Sequence, residues 1–148
     1  TEIGVVEILE NGSDITLVTY GSCCRIAQEA SLELKKFNIS IEIIDAQSLI
    51  PFDINNDIVN SIKKTNRVIF MDEDVPGGAT AYMMQKVLEE QNGYQFLDSK
   101  PLTITSKDHR PAYGDDGDYF SKSNTDDVID SCYKLMHESN PNKYPSIL

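Results

Sequence analysis

Three consecutive carboxylates, Asp72, Glu73 and Asp74, stand directly before Val75-Pro76-Gly77-Gly78 in this 148-residue chain. Acids grouped so tightly could hold a divalent metal in the manner of a receiver domain, but that chemistry needs an acidic pair after the first strand. The chain reads Thr19-Tyr20-Gly21-Ser22 there, and Lys107 after Thr105-Ser106 is only a weak counterpart of a receiver's switch residues. Gly77-Gly78 at a helix start could cradle a phosphate through exposed amides. It forms neither G-x-G-x-x-G nor a Walker loop, and the neighbouring acids would repel an anion. A tight turn that lets a helix approach a strand is the stronger reading.

Cys23, close to a helix N-terminus, could have a lowered pKa and act as a nucleophile. No histidine stands in a supporting position, however, and Gly21-Ser22-Cys23-Cys24 is not a G-x-S-x-G elbow. Small residues packing under a sheet are the default there. Two histidines and three scattered cysteines give no zinc spacing, and His109 reads as a loop residue making local contacts. Asp115-Asp116-Gly117-Asp118 lacks the alternation and distal glutamate of an EF-hand loop. If that run is functional, it meets lysines and arginines of a partner. No catalytic, cofactor-binding or metal-ligating residue is therefore assigned. The candidate interface residues are Asp72, Glu73, Asp74, Asp115, Asp116 and Asp118.

The elements that must position these acids follow from periodicity. Residues 67–71 are a short apolar run suited to a strand buried on both faces. From Ala79 the spacing turns helical, with Ala79, Met83, Val87 and Gln91 in line and Met84 and Leu88 beside them. Upstream, residues 5–9 and 15–20 read as strands, and Asn11-Gly12 could close a hairpin between them. Ser22 is a fair N-cap for a helix running to about Phe37, with Ile26, Ala27, Ala30, Leu34 and Phe37 inward. Residues 39–44 form the next strand, closing on Asp45. After Pro51, Asp53 caps a short helix carrying Ile54, Ile58 and Ile62, with Lys63 and Lys64 at its negative end. Residues 101–105 are a further strand and 108–123 a polar loop. The last helix, 125–136, has Val128, Ile129, Cys132, Leu135 and Met136 inside, and residues from Asn140 onward read as a tail. Strands alternating with helices indicate an α/β fold: three layers, with a mostly parallel twisted sheet and helices on both faces.

The totals narrow the function classes. Apolar content of 40% and charged content of 25% describe an ordinary globular domain. No apolar run approaches the roughly 20 residues that span a bilayer, and no signal peptide opens the chain. Beginning on Thr1, it reads as part of something longer. A net charge of −11 and a pI near 4.5 disfavour nucleic acid and anionic membrane and favour a basic partner surface. Three cysteines make no disulfide framework, so a reduced cytoplasmic setting is expected.

Four stretches together resemble a known family. Ser13-Asp14-Ile15-Thr16-Leu17-Val18-Thr19-Tyr20-Gly21-Ser22 is similar to the opening strand of transketolase C-terminal-like domains. Ile44-Asp45-Ala46-Gln47-Ser48-Leu49-Ile50-Pro51-Phe52-Asp53 resembles their strand-end signature. Ser61-Ile62-Lys63-Lys64-Thr65-Asn66-Arg67-Val68-Ile69, and Glu73 with Gly77-Gly78, fit best the beta subunit of the thiamine-dependent component of 2-oxo acid dehydrogenase complexes. Departures are Ala46-Gln47, where the family has a leucine-arginine pair, and Asp72, where it often has histidine. Deoxyxylulose-phosphate synthase and transketolase carry related domains. A stand-alone binding or receiver-like module is the alternative of another class.

The resemblance implies residues 13–137 as the domain, 1–12 as a linker from an upstream domain and 138–148 as a tail. It implies that thiamine diphosphate and magnesium bind on other domains, with none in this chain. The parent would decarboxylate a 2-oxo acid, with branched-chain 2-oxoisovalerate preferred, and pass the acyl group to a lipoyl acyltransferase. Implied partners are the thiamine-binding domains or alpha subunit, the acyltransferase's subunit-binding domain, and a second copy in a homodimer.

Overall fold

A computed structural model describes residues 3–73, 78–105 and 125–145. Asp74, Gly77, Lys107, His109, Asp115, Asp116 and Asp118 lie outside the described residues, as does the 108–123 loop.

Among the described residues, five strands form one sheet: β1 (Glu7–Glu10), β2 (Ile15–Thr19), β3 (Ile41–Asp45), β4 (Val68–Met71) and β5 (Leu102–Ile104), in the order β1-β3-β2-β4-β5. β2 is parallel to both β3 and β4, β4 is parallel to β5, and β1 runs antiparallel to β3. β4 is thus interior, and all four of its residues are buried. The period of two along each strand sends alternate residues to two separate cores. Ile15, Leu17, Ile41, Ile43, Ile69 and Met71 face α1 (Cys23–Leu34) and α4 (Thr125–Ser139). Val18, Ile44, Val68 and Phe70 face α2 (Asp57–Thr65) and α3 (Ala79–Met84). Each large apolar side chain buried this way contributes about 1.5–3 kcal/mol. The result is the three-layer α/β sandwich expected from the alternation of elements.

Four local expectations are corrected. β1 does not form a hairpin with β2 across Asn11-Gly12; it pairs with β3, Glu7 opposite Asp45 and Ile8 opposite Ile44. Gly12 is needed for a different reason: a Cβ there would collide with the Ile41 carbonyl. Next, α2 begins at Asp57 rather than beside Asp53. Left-handed backbone at Asp53 (φ 45°) and Asn56 (φ 58°) interrupts the helical run, leaving Ile54 exposed. Asp53 still caps the helix from outside it, accepting the N–H groups of Asp57 (2.8 Å) and Ile58 (3.2 Å). Phe37 is not inward but 40% exposed, its ring edge-on to Tyr133 at 5.4 Å. Finally, α3 does not run through as a regular helix. It widens over Gln85–Glu90, where the Gln91 N–H bonds to Lys86 O, five residues back. Ala79, Met83, Val87 and Leu88 stay buried through that change.

The segment from residue 140, read as a tail, carries Tyr144 into the core. The Tyr144 hydroxyl donates to Asn38 O, Tyr133 donates to Pro145 O, and His137 Nδ1–H donates to Tyr144 O.

Candidate functional site

β2 and β4 are neighbours, but the chain leaves them in opposite directions. From β2 it passes through α1, on one face, to β3; from β4 it passes through α3, on the other face, toward β5. Their carboxyl ends therefore flank the place where strand order reverses, where open α/β sheets present a crevice. A cleft of about 370 Å³ opens there, lined by Tyr20, Gly21, Ser22, Asp72 and Glu73.

Parallel pairing sets this assembly. Thr16, Leu17 and Val18 stand opposite Val68, Ile69 and Phe70, so the residues following the two strands emerge side by side. The Thr19 hydroxyl donates to Met71 O at 2.9 Å, and the Asp72 N–H donates to Ile104 O at 2.9 Å. Gly21 takes a left-handed turn (φ 64°) with open space where a Cβ would be. Ser22 occupies the N-cap position of α1 but makes no side-chain cap. Its hydroxyl instead donates to Glu73 Oε1. The Tyr20 hydroxyl donates to Asp72 Oδ1 at 2.7 Å. Asp72 is only 4% exposed, and its Oδ2 has no hydrogen-bond partner among the described residues. Glu73 is exposed.

Two of the six candidate interface residues, Asp72 and Glu73, thus come together at a cleft; the other four lie outside the described residues. Sequence reasoning missed Tyr20 and Ser22, although their signal was present: a Tyr-Gly-Ser run ending the strand that pairs with β4. Cys23 is not an activated nucleophile. Burial pushes its thiol up to about 11, the charges of Glu73 and Asp72 push the same way, and a hydrogen bond with Thr19 opposes them. Burial and then the Asp45 charge push the Cys24 thiol up to about 12.

The cleft does not fit thiamine diphosphate with magnesium. Its two carboxylates repel a diphosphate, and no lysine or arginine is among the described residues lining it. Among the described residues, no three His, Cys, Asp or Glu side chains converge on a metal position. What the arrangement can do is attract positive charge and hold it with oriented oxygens.

Comparison with known proteins places the fold. The family model "Transketolase, C-terminal domain" matches residues 4–121. The chain is 31% identical over 136 residues to the "Pyruvate dehydrogenase E1 component subunit beta" of Rhizobium meliloti (strain 1021), covering 89% of this chain and 29% of the relative. It is 31% identical over 88 residues to the "2-oxoisovalerate dehydrogenase subunit beta" of Bacillus subtilis (strain 168), covering 60% of this chain and 27% of the relative. A solved "Split gene transketolase, inactive beta4 tetramer" superposes with a TM-score of 0.74 at 23% identity, covering 90% of this chain and 43% of that one. The chain therefore spans less than half the length of these relatives. With the strand order, the two helical layers and the match over residues 4–121 in agreement, the chain belongs to the transketolase C-terminal domain family.

Proposed function

We propose that this chain is the C-terminal domain of the beta subunit of a thiamine-diphosphate-dependent 2-oxo acid dehydrogenase. The observation that carries this reading is the similarity along 89% of the chain to a pyruvate dehydrogenase beta subunit. The parent enzyme decarboxylates a 2-oxo acid and transfers the acyl group to a lipoyl acyltransferase, with thiamine diphosphate and magnesium held by domains other than this one. The domain's own part is assembly. It joins beta subunits to each other and to the alpha subunit, and it offers acidic residues to the small basic subunit-binding domain of the acyltransferase. Asp72, Glu73, Asp74, Asp115, Asp116 and Asp118 are the residues proposed for that docking, and the net charge of −11 supports its sign.

For the substrate, the family resemblance prefers branched-chain 2-oxoisovalerate. The longer match to the pyruvate relative, 89% of the chain against 60%, favours pyruvate. A cytoplasmic location is part of the reading, supported by the free thiols of Cys23, Cys24 and Cys132. No helix among the described residues is long and apolar enough to cross a membrane.

The test is an assay of the complete gene product with its alpha subunit, thiamine diphosphate and magnesium, offered pyruvate and 2-oxoisovalerate separately. Carbon dioxide release from one of them is expected. Release from neither, with ketol transfer between sugar phosphates instead, would replace this reading by a transketolase.

A further inference from the structure

The cleft at the carboxyl ends of β2 and β4 has a feature that a solvated acidic surface lacks. Asp72 is only 4% exposed and lines the cleft. A carboxylate offers about four acceptor positions. Tyr20 fills one on Oδ1, while Oδ2 has no partner among the described residues. A buried acceptor left in that state is unfavourable until a donor reaches it. Next to it, Glu73 is steadied by the Ser22 hydroxyl but remains exposed. Two hydroxyls therefore hold two carboxylates in place without neutralising either. The Cys23 thiol at the start of α1 feels both charges, so the two fields converge on this end of the sheet.

We propose that the cleft receives the guanidinium group of an arginine side chain held in peptide linkage, bridging Asp72 and Glu73. A guanidinium carries five N–H donors in a rigid planar fork and is weakly hydrated, so it can serve two carboxylates at once and give up its water at the buried Asp72 oxygen, which a small shift of the side chain brings to the cleft. A lysine ammonium is a strongly hydrated point charge and is less suited to that approach. A magnesium ion keeps an octahedral shell of oxygens, and no third acid, histidine or cysteine joins Asp72 and Glu73 among the described residues. Free arginine would bring its own α-carboxylate into an acid-lined cleft; a peptide-linked arginine does not. This goes beyond general acidic docking, because it names one cleft and one group and holds whichever 2-oxo acid the parent enzyme uses.

Titration of the 15N-labelled full chain with Nα-acetylarginine amide tests it. Saturable shifts of the Gly21, Ser22 and Glu73 amides are expected. Glu73→Gln and Asp72→Asn should each weaken binding about tenfold, the loss of one charge-assisted hydrogen bond. Glu73 is exposed, so Glu73→Gln reads the same cleft without altering a buried group. Nα-acetylcitrulline amide, a neutral isostere, should leave the spectrum unchanged, and Nα-acetyllysine amide and free arginine should bind more weakly. Equal binding of the citrulline or lysine compound, tighter binding of free arginine, magnesium chloride shifting the same amides at lower concentration, or no saturable shift would each overturn the proposal.

Discussion

The two ends of the sheet share the same strands and treat buried polar groups in opposite ways. At the amino ends, Thr16 Oγ1 lies 2.6 Å from Ser61 Oγ and 2.7 Å from Thr65 Oγ1. The Thr65 proton goes to Arg67 O, so Thr16 donates to Thr65. Glu42, buried there, takes the Lys64 ammonium and the Gly12 N–H. Arg67 reaches Asp14 O, Ser139 Oγ and Asp98. Each charge in this set meets its opposite or a backbone dipole. At the carboxyl ends, Asp72 keeps an oxygen without a partner, and no cation lines the cleft, among the described residues. One end closes the fold, and the other keeps an oriented acceptor that the described residues leave open. Polar groups at the amino end are explained by stability alone, whereas those at the carboxyl end are not.

The strand common to both ends gives the largest expected effect. Ile69→Asp puts a charge into β4 with both cores around it, a loss of about 3–5 kcal/mol or more, comparable with the whole stability of a small domain. Circular dichroism should show no cooperative melt. A folded, cooperatively melting Ile69→Asp protein would show that β4 is not interior.

Asp53 sharpens the comparison, because it is an acid beyond the carboxyl end of β3 that the fold has closed. Burial pushes its carboxyl from 3.8 up to about 6, against the two N–H donors of Ile58 and Asp57. Since the folded value is the higher one, its stabilising contribution is complete below about 3.8 and is lost as pH rises through about 6. A shift of that size corresponds to roughly 3 kcal/mol at most. Urea melts between pH 4 and 7 should therefore fall in stability with rising pH, and Asp53→Asn should flatten that slope. An unchanged slope in the variant would assign the pH dependence to another group.

The amino end should show the reverse sign. Burial raises the Glu42 carboxyl, but hydrogen bonds from Lys64, Ser61 and the Gly12 N–H outweigh it and hold it below 4.5. Its contribution is present above about pH 4.5 and lost as pH falls through the lower folded value. Lys64→Met leaves Glu42 buried and without its cation. The expected cost near pH 7 is about 2 kcal/mol, below the figure for a fully buried pair because Lys64 is half exposed. The variant should then lose stability as pH rises above 4.5, opposite to the native contribution. Equal melts of variant and native protein at pH 7 would mean that the ion pair does not hold the amino end.

The smallest effect on folding is expected from the acidic loop, which lies outside the described residues. Replacing Asp115, Asp116 and Asp118 by Asn should leave the melting temperature nearly unchanged, since exposed charges contribute little. Association with the acyltransferase should slow, and the difference should shrink as salt shortens the Debye length from about 10 Å at 0.1 M to about 3 Å at 1 M. Binding at the native rate in low salt would reduce the loop to solvated surface.

Legibility in the sequence follows the range of the interaction. The β4 strand was plain because burial on both faces demands a continuous apolar run, and α1 and α4 because their inward residues repeat at helical spacing. Gly12 was misread because a glycine permitting close approach to a neighbouring strand looks like a glycine in a turn. The start of α2 was misread because Asp53 caps it across a left-handed interruption. At the site, Asp72 and Glu73 were visible as acids at a strand end. Their partners were not, since Tyr20 and Ser22 lie about fifty positions away and meet them only through the parallel pairing of β2 with β4.

The contrast between the two ends is tested most directly by urea unfolding of Asp72→Asn beside Thr16→Val at pH 7. Thr16→Val removes a hydroxyl at the centre of a satisfied network and should cost about 1–3 kcal/mol. Asp72→Asn replaces a buried carboxyl group whose second oxygen has no partner among the described residues, and should leave stability within about 0.5 kcal/mol of native or raise it. A loss in Asp72→Asn as large as that in Thr16→Val would contradict the assignment, because the carboxyl end would then be holding the fold together just as the amino end does.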